Sequence, residues 1–384
     1  MFFVGALSLT PFPPNRRPPF LKSPFYATFH WVIGDAENLK IVVDAIRNSP
    51  WVAVDSEADS LHAYPEKLCL LQFSVEGGDY LVDTLAGLDI TSLLDSLRNR
   101  ELIFHGADYD LRMLRKTFHF VPSDIFDTMT AARLLGYKQF GLGALVERHL
   151  GIKLEKGPQK MNWARRPLTD RMEQYARNDT RHLKTLSDNL RNELKEKGRL
   201  DWQKETCQQL ILDCADIPTA NRDQWRMKGS DRLSPRGLAI LRELWKWREK
   251  EAIIANKPPF FVLNHDLLLR MAHEAEKIKN FEKVLPPRLS TRRRESLLVA
   301  IAHAQNIPEA ELPNKRTNVL YQPTLAEQKR FTALRQARDK KALELDIDPT
   351  LIASRSTMVL LSQDWDRYKG DLMNWQRTLL EGVL

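Results

Sequence analysis

The sequence predicts an α/β domain built on a mixed sheet, followed by smaller all-α domains. From about residue 30 to about residue 150, short apolar runs of strand length alternate with amphipathic segments, a pattern typical of a sheet with flanking helices. From about residue 230 onward, apolar residues recur at helical spacing instead, which indicates packed helices. A chain of 384 residues has room for two or three such domains.

The predicted α/β domain covers residues 28–200, and its strands and helices alternate along the chain. Apolar runs of strand length predict strands at Trp51–Asp55, Leu68–Phe73, Asp79–Asp83, Leu102–His105 and Ile125–Asp127. Amphipathic segments predict helices at Ala36–Asn48, Ile90–Arg98, Asp108–Phe118 and Thr128–Leu135. Residues 140–198 are predicted to be mostly helical. This alternation favours a mixed sheet with helices packed against it.

Two helical domains of similar plan are predicted after a linker region at residues 201–229. In the first, residues 230–311, a long helix at Pro235–Ala255 ends before a Lys-Pro-Pro break, and short helices follow. In the second, residues 320–384, a helix at Leu325–Leu345 ends before Asp-Ile-Asp-Pro, and short helices follow again. Proline stops a helix at both breaks. The shared order of helix, break and short helices predicts a duplicated small helical domain.

Composition and charge indicate a globular protein with a more basic C-terminal half. Hydrophobic residues make up 43% of the chain and charged residues 28%, which is ordinary for a globular protein. The net charge is +8; residues 201–384 carry 31 Lys and Arg against 25 Asp and Glu, whereas residues 1–200 carry 27 against 25. The C-terminal half is therefore the better candidate for contact with a polyanion.

The cysteines and the N-terminal segment predict a cytoplasmic protein. Cys69, Cys207 and Cys214 form no Cys-x-x-Cys pair, and an odd number of cysteines favours reduced thiols. Residues 1–27 are rich in proline and lack the basic start of a signal peptide, so they are predicted to be a disordered extension. Elsewhere no apolar run approaches the ~20 residues of a membrane span. No membrane contact is therefore predicted, and no obligate protein partner is evident from the sequence.

The first candidate site motif is Asp55-Ser56-Glu57 at the end of the first predicted strand. Because side chains alternate along a strand, both carboxylates point to one face. Two acids on one face repel each other unless a cation lies between them. Hard oxygen ligands suit Mg²⁺ or Mn²⁺. Taken alone, the motif also fits a solvated strand end.

Two further motifs carry acids at the start of one helix and along another. Asp110 falls in the first turn of the helix predicted from Asp108, where it could simply complement the helix dipole. Tyr175 and Asp179 lie four residues apart on a predicted helix and therefore share a face. Each motif is common in proteins; their combination and order are not.

In this order, the four acids and the tyrosine resemble the DEDDy branch of the DnaQ-like exonucleases, which has a ribonuclease H-like fold. The flanking sequence segments are similar to those of ribonuclease D in particular: Val54-Asp55-Ser56-Glu57, Lys67-Leu68-Cys69-Leu70-Leu71-Gln72, Phe104-His105-Gly106-Ala107-Asp108-Tyr109-Asp110-Leu111, Phe126-Asp127-Thr128-Met129 and Arg166-Pro167-Leu168-Thr169. The resemblance covers about residues 30–200. One departure is Asn162, where family members more often have Asp; it lies outside the acid set.

The resemblance implies a 3′→5′ exoribonuclease that releases nucleoside 5′-monophosphates. In such an enzyme the four carboxylates hold two divalent metal ions, Mg²⁺ or Mn²⁺, roughly 3.5–4 Å apart. The tyrosine orients the attacking water. Carried onto this sequence, the metal ligands are Asp55, Glu57, Asp110 and Asp179, and the tyrosine is Tyr175. The family also implies RNA as substrate, with tRNA precursors as the expected RNA.

Substrate contacts are predicted beside this site and in the helical region. His105 could contact the terminal nucleotide or have a structural role at the start of the helix. Lys160, Arg165 and Arg166 lie on a basic segment that could bind substrate phosphates. Residues 230–311, with Leu233-Ser234-Pro235-Arg236 and Lys257-Pro258-Pro259-Phe260-Phe261, resemble an HRDC domain. Residues 320–384 resemble a degenerate second copy. Asp127 is predicted to cap a helix and not to bind metal.

Two other functions stay open at this point. A DNA 3′→5′ exonuclease of the same superfamily has the same acids, and nothing in the predicted metal site reads a 2′-hydroxyl. A non-catalytic RNA-binding module could keep the fold, although the presence of all four acids and the tyrosine argues against it. The choice of RNA over DNA depends on the resemblance alone.

Overall fold

A six-stranded mixed sheet organises the described part of the N-terminal half. The structure, a computed structural model, describes residues 32–155, 157, 159–216, 223–278, 281–315 and 322–383. The strands are β1 (Val32–Ile33), β2 (Val52–Ala58), β3 (Leu68–Val75), β4 (Gly78–Asp83), β5 (Glu101–Phe104) and β6 (Asp124–Asp127). Their spatial order is β1-β4-β3-β2-β5-β6. β3 runs antiparallel to both β2 and β4, and the other neighbours are parallel.

Helices cover both faces of this sheet. They are α1 (Ala36–Asn48), α2 (Thr91–Leu97), α3 (Asp108–Phe118), α4 (Thr128–Leu134), α5 (Leu142–Leu150), α6 (Asp170–Arg181), α7 (Leu183–Glu196) and α8 (Leu200–Ala215). α1, α2, α3 and α8 bury their apolar residues on one face, together with Val52 and Val54. α4, α5 and α7 cover the other face, where Ala53 points, and α6 lies across β2, β3 and β4 on the same side. The predicted fold class is confirmed.

Two elements differ from the sequence prediction. β1 has only two residues, which is too short to give a strand pattern. The predicted linker at 201–229 is helical in its first half, because α8 occupies residues 200–215 and packs on α3 and β6. Its buried positions hold two cysteines, one glutamine and one isoleucine, at Gln203, Cys207, Ile211 and Cys214. This stripe is only weakly apolar, so a hydrophobic pattern underestimates the helix. The predicted extension at 1–27 lies outside the described residues.

The two helical domains repeat the same plan. The first contains α9 (Pro235–Ala255), α10 (Pro259–Val262), α11 (His265–Ala275) and α12 (Thr291–Gln305). The second contains α13 (Leu325–Leu345), α14 (Pro349–Ile352), α15 (Arg355–Gln363), α16 (Trp365–Tyr368) and α17 (Asn374–Leu380). Every boundary of α9 and α10 recurs 90 residues later in α13 and α14. The left-handed caps that end the long helices, Asn256 and Asp346, keep this spacing. The constant interval supports the predicted duplication.

The two helical domains are attached differently to the α/β domain. The first has a hydrophobic core of its own and meets the β2–β3 loop, residues 59–67, through Tyr64, whose hydroxyl donates to Glu249. The second shares one continuous core with α4, α5 and α7. In the described part of the chain, no helix combines the length and apolarity that crossing a membrane requires.

Candidate active site

The end of β2 places Asp55 and Glu57 on the face of the sheet that α6 covers. β2 alternates its side chains, so Ala53, Asp55 and Glu57 point to one side and Val52, Val54 and Ser56 to the other. Ala53 belongs to the core under α4 and α7. The two acids therefore extend this face beyond the end of its apolar core, where α6 packs against β2.

Helix α6 adds Asp179 to this pair of acids. Thr169 caps the helix by accepting a hydrogen bond from the backbone N–H of Met172, and Met172 and Ala176 anchor it to a buried cluster with Leu70 and Leu81. One carboxylate oxygen each from Asp55, Glu57 and Asp179 lies within 4.8 Å of the others. Three acids separated widely in sequence thus form one cluster that could hold a cation.

Asp110 reaches the same cleft from the other side of the sheet. It lies in the first turn of α3, whose apolar residues pack on the opposite face. The hydroxyl of Ser56 donates a hydrogen bond to Oδ1 of Asp110 over 2.5 Å. Asp110 therefore stands beside the three-carboxylate cluster and not within its 4.8 Å limit. Sequence reasoning missed Ser56, although its place between Asp55 and Glu57 was a usable signal.

A cleft of about 830 Å³ contains all five predicted catalytic side chains. Asp55, Glu57, Asp110, Tyr175 and Asp179 line it. Further lining comes from the start of α5 and its N-cap, from the loop before α6, from the start of α3 and from α6 itself: Gly141, Leu142, Gly143, Ala144, Leu154, Glu155, Gly157, Gln159, Tyr109 and Asn178. No sequence pattern pointed to Gln159 or Asn178.

The pKa values of the four acids are raised because the carboxylates are buried close together. Burial, reinforced by Asp110, Asp179 and Glu57, raises the pKa of Asp55 well above its usual value. Burial and the charges of Asp179 and Asp110 raise the pKa of Glu57 to about 9. Burial likewise raises the pKa of Asp110 and that of Asp179 to about 7. A cation in the cluster would favour the ionised forms.

Tyr175 is held against Asp179 and under a loop. Its side chain hydrogen-bonds with Asp179 and with Gln159. Burial, followed by the charge of Asp179, raises the pKa of Tyr175 far above its ordinary value, so its hydroxyl stays protonated. A Cβ at Gly157 would lie 1.4 Å from Cδ2 of this ring. Only a glycine lets the loop backbone approach the tyrosine so closely.

His105 and Asp127 are fixed by the strand-to-helix turns. Nδ1 of His105 lies 2.9 Å from the hydroxyl of Thr128, and the imidazole lines the cleft. Burial lowers the pKa of His105, which favours the neutral ring. Asp127 accepts hydrogen bonds from the backbone N–H groups of Met129 and Gly106 over 2.9 and 2.8 Å. Asp127 is thus a helix cap, as predicted.

The three basic residues of the predicted phosphate-binding segment lie outside the lining of the cleft. Lys160 and Arg165 are exposed. Arg166 contacts Asp83 through two hydrogen bonds of 2.6 Å and also donates to the backbone oxygens of Trp163 and Cys69. The guanidinium of Arg166 therefore joins the loop to the sheet and has its donors occupied there, contrary to its predicted contact with substrate.

Known proteins are similar to this chain in sequence and in fold. A model described as 3′–5′ exonuclease matches residues 31–195, and a model described as HRDC domain matches residues 237–280. Ribonuclease D of Gluconacetobacter diazotrophicus is 29% identical over 91% of this chain and 90% of its own. Ribonuclease D of Jannaschia sp. is 32% identical over 80% and 82%, respectively. The crystal structure of Escherichia coli RNase D, described as an exoribonuclease involved in structured RNA processing, matches with a TM-score of 0.72 and 25% identity over 92% of this chain and 99% of that one.

Proposed function

The chain belongs to the ribonuclease D family and is a 3′→5′ exoribonuclease, and we propose that it removes 3′ nucleotides with two divalent ions in tRNA 3′ processing. The proposed ligands are the carboxylates of Asp55, Glu57, Asp110 and Asp179. The observation that carries this proposal is the approach of three carboxylate oxygens within 4.8 Å in the cleft. Dependence on a divalent metal follows from the exonuclease family.

The chemistry of the ligands fits Mg²⁺ or Mn²⁺. The cluster offers only carboxylate oxygens, which hard divalent cations prefer over nitrogen or sulfur. Buried acids that raise one another's pKa are costly to ionise without a cation. Asp110 lines the same cleft, which supports its role as a fourth carboxylate ligand. Two ions about 3.5–4 Å apart are typical of enzymes that cleave phosphodiesters.

Side chains of this site would orient the attacking water and bind the terminal nucleotide beside the scissile phosphate. Bound divalent ions supply an activated water and offset charge on the leaving 3′-oxygen. Tyr175, protonated and tied to Asp179, would hold the attacking water in line. His105, favoured in its neutral form, would contact the terminal nucleotide by hydrogen bonding without adding charge.

The substrate and the location complete the proposal. RNA is the substrate class of the family. We propose tRNA precursors as the particular substrate because the sequence motifs resemble those of enzymes that mature tRNA 3′ ends. Lys160 and Arg165, exposed in the loop before α6, are proposed to contact the RNA backbone. The three cysteines are buried and unpaired, which supports a reducing compartment, the cytoplasm.

Substitution of single carboxylates tests the proposed site. Asp55→Asn and Asp179→Asn should each reduce Mg²⁺-dependent hydrolysis of a 3′-extended tRNA by at least about 100-fold, more than loss of an outer partner of a metal ligand costs. Asp170→Asn, on the exposed first turn of α6, is the matched control and should leave the rate unchanged. Full activity of either ligand variant would disprove the site. A matched DNA strand, degraded at an equal rate, would disprove the preference for RNA.

A further inference from the structure

Gln72 is a buried amide that lacks a hydrogen-bond partner in the described structure. It lies in the middle of β3, a strand whose eight residues are all buried, and its own side chain is 0% exposed. Neither Oε1 nor Nε2 has a hydrogen-bond partner among the described residues. Burying an amide without a hydrogen-bond partner destabilises the folded state. A leucine or methionine would avoid this cost, so the amide needs a functional explanation.

The strand register places this amide beside the proposed metal site. Gln72 is directly opposite Asp55 in the antiparallel pair of β2 and β3, and directly opposed residues project to the same face. Two residues further along β3, Ser74 contacts Thr180 of α6, with 2.8 Å between their hydroxyl oxygens. The face that carries Gln72 is therefore the face beneath α6, the helix that brings Tyr175 and Asp179 to the cleft.

On its other side Gln72 meets apolar residues. Its partner on β4 is Leu81, which is buried in a cluster with Ala176 and Leu70. The amide therefore lies at the boundary between an apolar cluster and the carboxylate of Asp55. An amide N–H group is a donor that an ionised carboxylate can accept, and carboxylates that bind metals are commonly held by such outer donors.

We propose that Gln72 is a positioning residue whose amide hydrogen-bonds the Asp55 carboxylate in the metal-loaded site and holds it in its metal-binding orientation. This rests on the proposed role of Asp55 as a metal ligand. Gln72 itself touches neither the metal nor the RNA. Its contribution is to metal affinity, and loss of an outer partner of this kind typically weakens metal binding by 10–100-fold.

Mn²⁺ binding to the full chain tests the proposal without recourse to catalysis. Gln72→Met keeps the length of the side chain and removes the donor; Gln72→Leu is a second apolar replacement. Both should raise the dissociation constant for Mn²⁺, measured from the electron paramagnetic resonance of free Mn²⁺, by about tenfold. The metal-free thermal midpoint should stay the same or rise, because an unpaired buried amide is gone. The Mn²⁺ concentration for half-maximal activity should shift by the same factor.

Two control variants separate the possible failures. Ser74→Ala disturbs the same face and its contact with α6, yet residue 74 is opposite Ala53 and not a proposed ligand, so its Mn²⁺ affinity should equal that of the wild type. Asp55→Asn should lose the tight Mn²⁺ binding. If Asp55→Asn keeps it, the proposed site is wrong. If Asp55→Asn loses it while either folded Gln72 variant binds Mn²⁺ like the wild type, only the role of Gln72 is wrong. Unfolding of both Gln72 variants would show that the amide serves the fold and would equally overturn the proposal.

Discussion

The two helical domains have the same plan but opposite relations to the α/β domain. The second shares a continuous hydrophobic core with α4, α5 and α7, and its Trp375 stacks on Trp202 of α8 with 4.9 Å between ring centroids. The first buries its apolar residues within itself. Two hydrogen bonds join it to the β2–β3 loop, from the hydroxyl of Tyr64 to Glu249 and from the Tyr64 backbone N–H to Asn256.

Polar bonds reinforce the attachment of the second domain. Glu205 of α8 accepts hydrogen bonds from the backbone N–H groups of Asn374 and Trp375, over 2.6 and 3.3 Å, and so satisfies the start of α17. Arg199 donates to the backbone oxygens of Leu134 and Leu345, each over 2.7 Å. The second domain is thereby a structural part of the α/β domain. The first is a separate unit beside a loop that begins two residues after Glu57.

The largest expected effect comes from deleting one buried tryptophan in each domain. Trp375→Ala should reduce the free energy of unfolding of the catalytic part by about 3–5 kcal/mol, because its ring lies in the shared core. Trp247→Ala, which removes a similarly buried ring bonded to Ser296, should reduce the stability of the first helical domain alone. The measurement is residual activity on a short oligoribonucleotide across a urea series.

The comparison predicts two separable results from that series. The urea midpoint of activity should fall in Trp375→Ala and stay unchanged in Trp247→Ala. The lost stability of the first helical domain in Trp247→Ala should be visible only in the helical circular dichroism signal. Equal shifts of the activity midpoint in both variants would mean that both helical domains are joined to the α/β domain in the same way.

The sequence predicted the elements better than it predicted their attachments. The bounds of α1, α3, α9 and α13 agree with the prediction, because caps such as Asp35, Ser234 and Thr324 stand directly before their helices. The sequence did not show which surface each apolar helix face packs against, because both helical domains have similar apolar patterns and only one joins the shared core. α8 was missed because its buried side includes Gln203, Cys207 and Cys214.

The same division holds for the candidate site. Strand and helix periodicity predicted that Asp55 and Glu57 share a face and that Tyr175 projects with Asp179, and the structure brings these residues into one cleft. Features that depend on how distant segments pack were not predictable. They are the hydrogen bond from Ser56 to Asp110, the close approach of Gly157 to Tyr175 and the unpaired amide of Gln72. Each depends on tertiary packing and leaves no local pattern.

A pair of glycines gives an intermediate effect. Gly136 has φ +90, and a Cβ there would lie 2.0 Å from the backbone oxygen of Asp346 in the second helical domain. Gly77 has nearly the same φ, +92, but open space around it. Gly77→Ala should cost about 1 kcal/mol of unfolding free energy from the backbone alone. Gly136→Ala should cost about 1–3 kcal/mol more, because it forces the two domains apart.

Thermal unfolding of the two glycine variants provides the measurement. Equal losses would show that the contact between Gly136 and Asp346 adjusts without strain, and the close attachment of the second domain would then need revision. A larger loss in Gly136→Ala, accompanied by faster hydrogen exchange in α13, would locate the strain at this contact.

The smallest expected effect concerns the polar contact of the first domain. Tyr64→Phe should weaken its docking by about 1 kcal/mol, since Glu249 keeps its pairing with Arg248 at 2.9 Å. Tyr137→Phe is the matched control, because Tyr137 donates to Glu193 over 2.5 Å within the α/β domain. Hydrogen exchange should accelerate in residues 59–67 for Tyr64→Phe only, while Tyr137→Phe should lower the stability of the α/β domain.

The pH dependence of this contact has a definite sign. Burial and then Glu249 raise the pKa of Tyr64 to about 12, above the ordinary value of about 10. A raised pKa means that the protonated phenol contributes its full stability below pH ~10 and loses it as the pH rises toward ~12. The difference in exchange between wild type and Tyr64→Phe should therefore be constant through neutral pH and vanish in strong alkali. A difference that already vanishes near pH 8 would mean that the phenol is not the donor of this hydrogen bond.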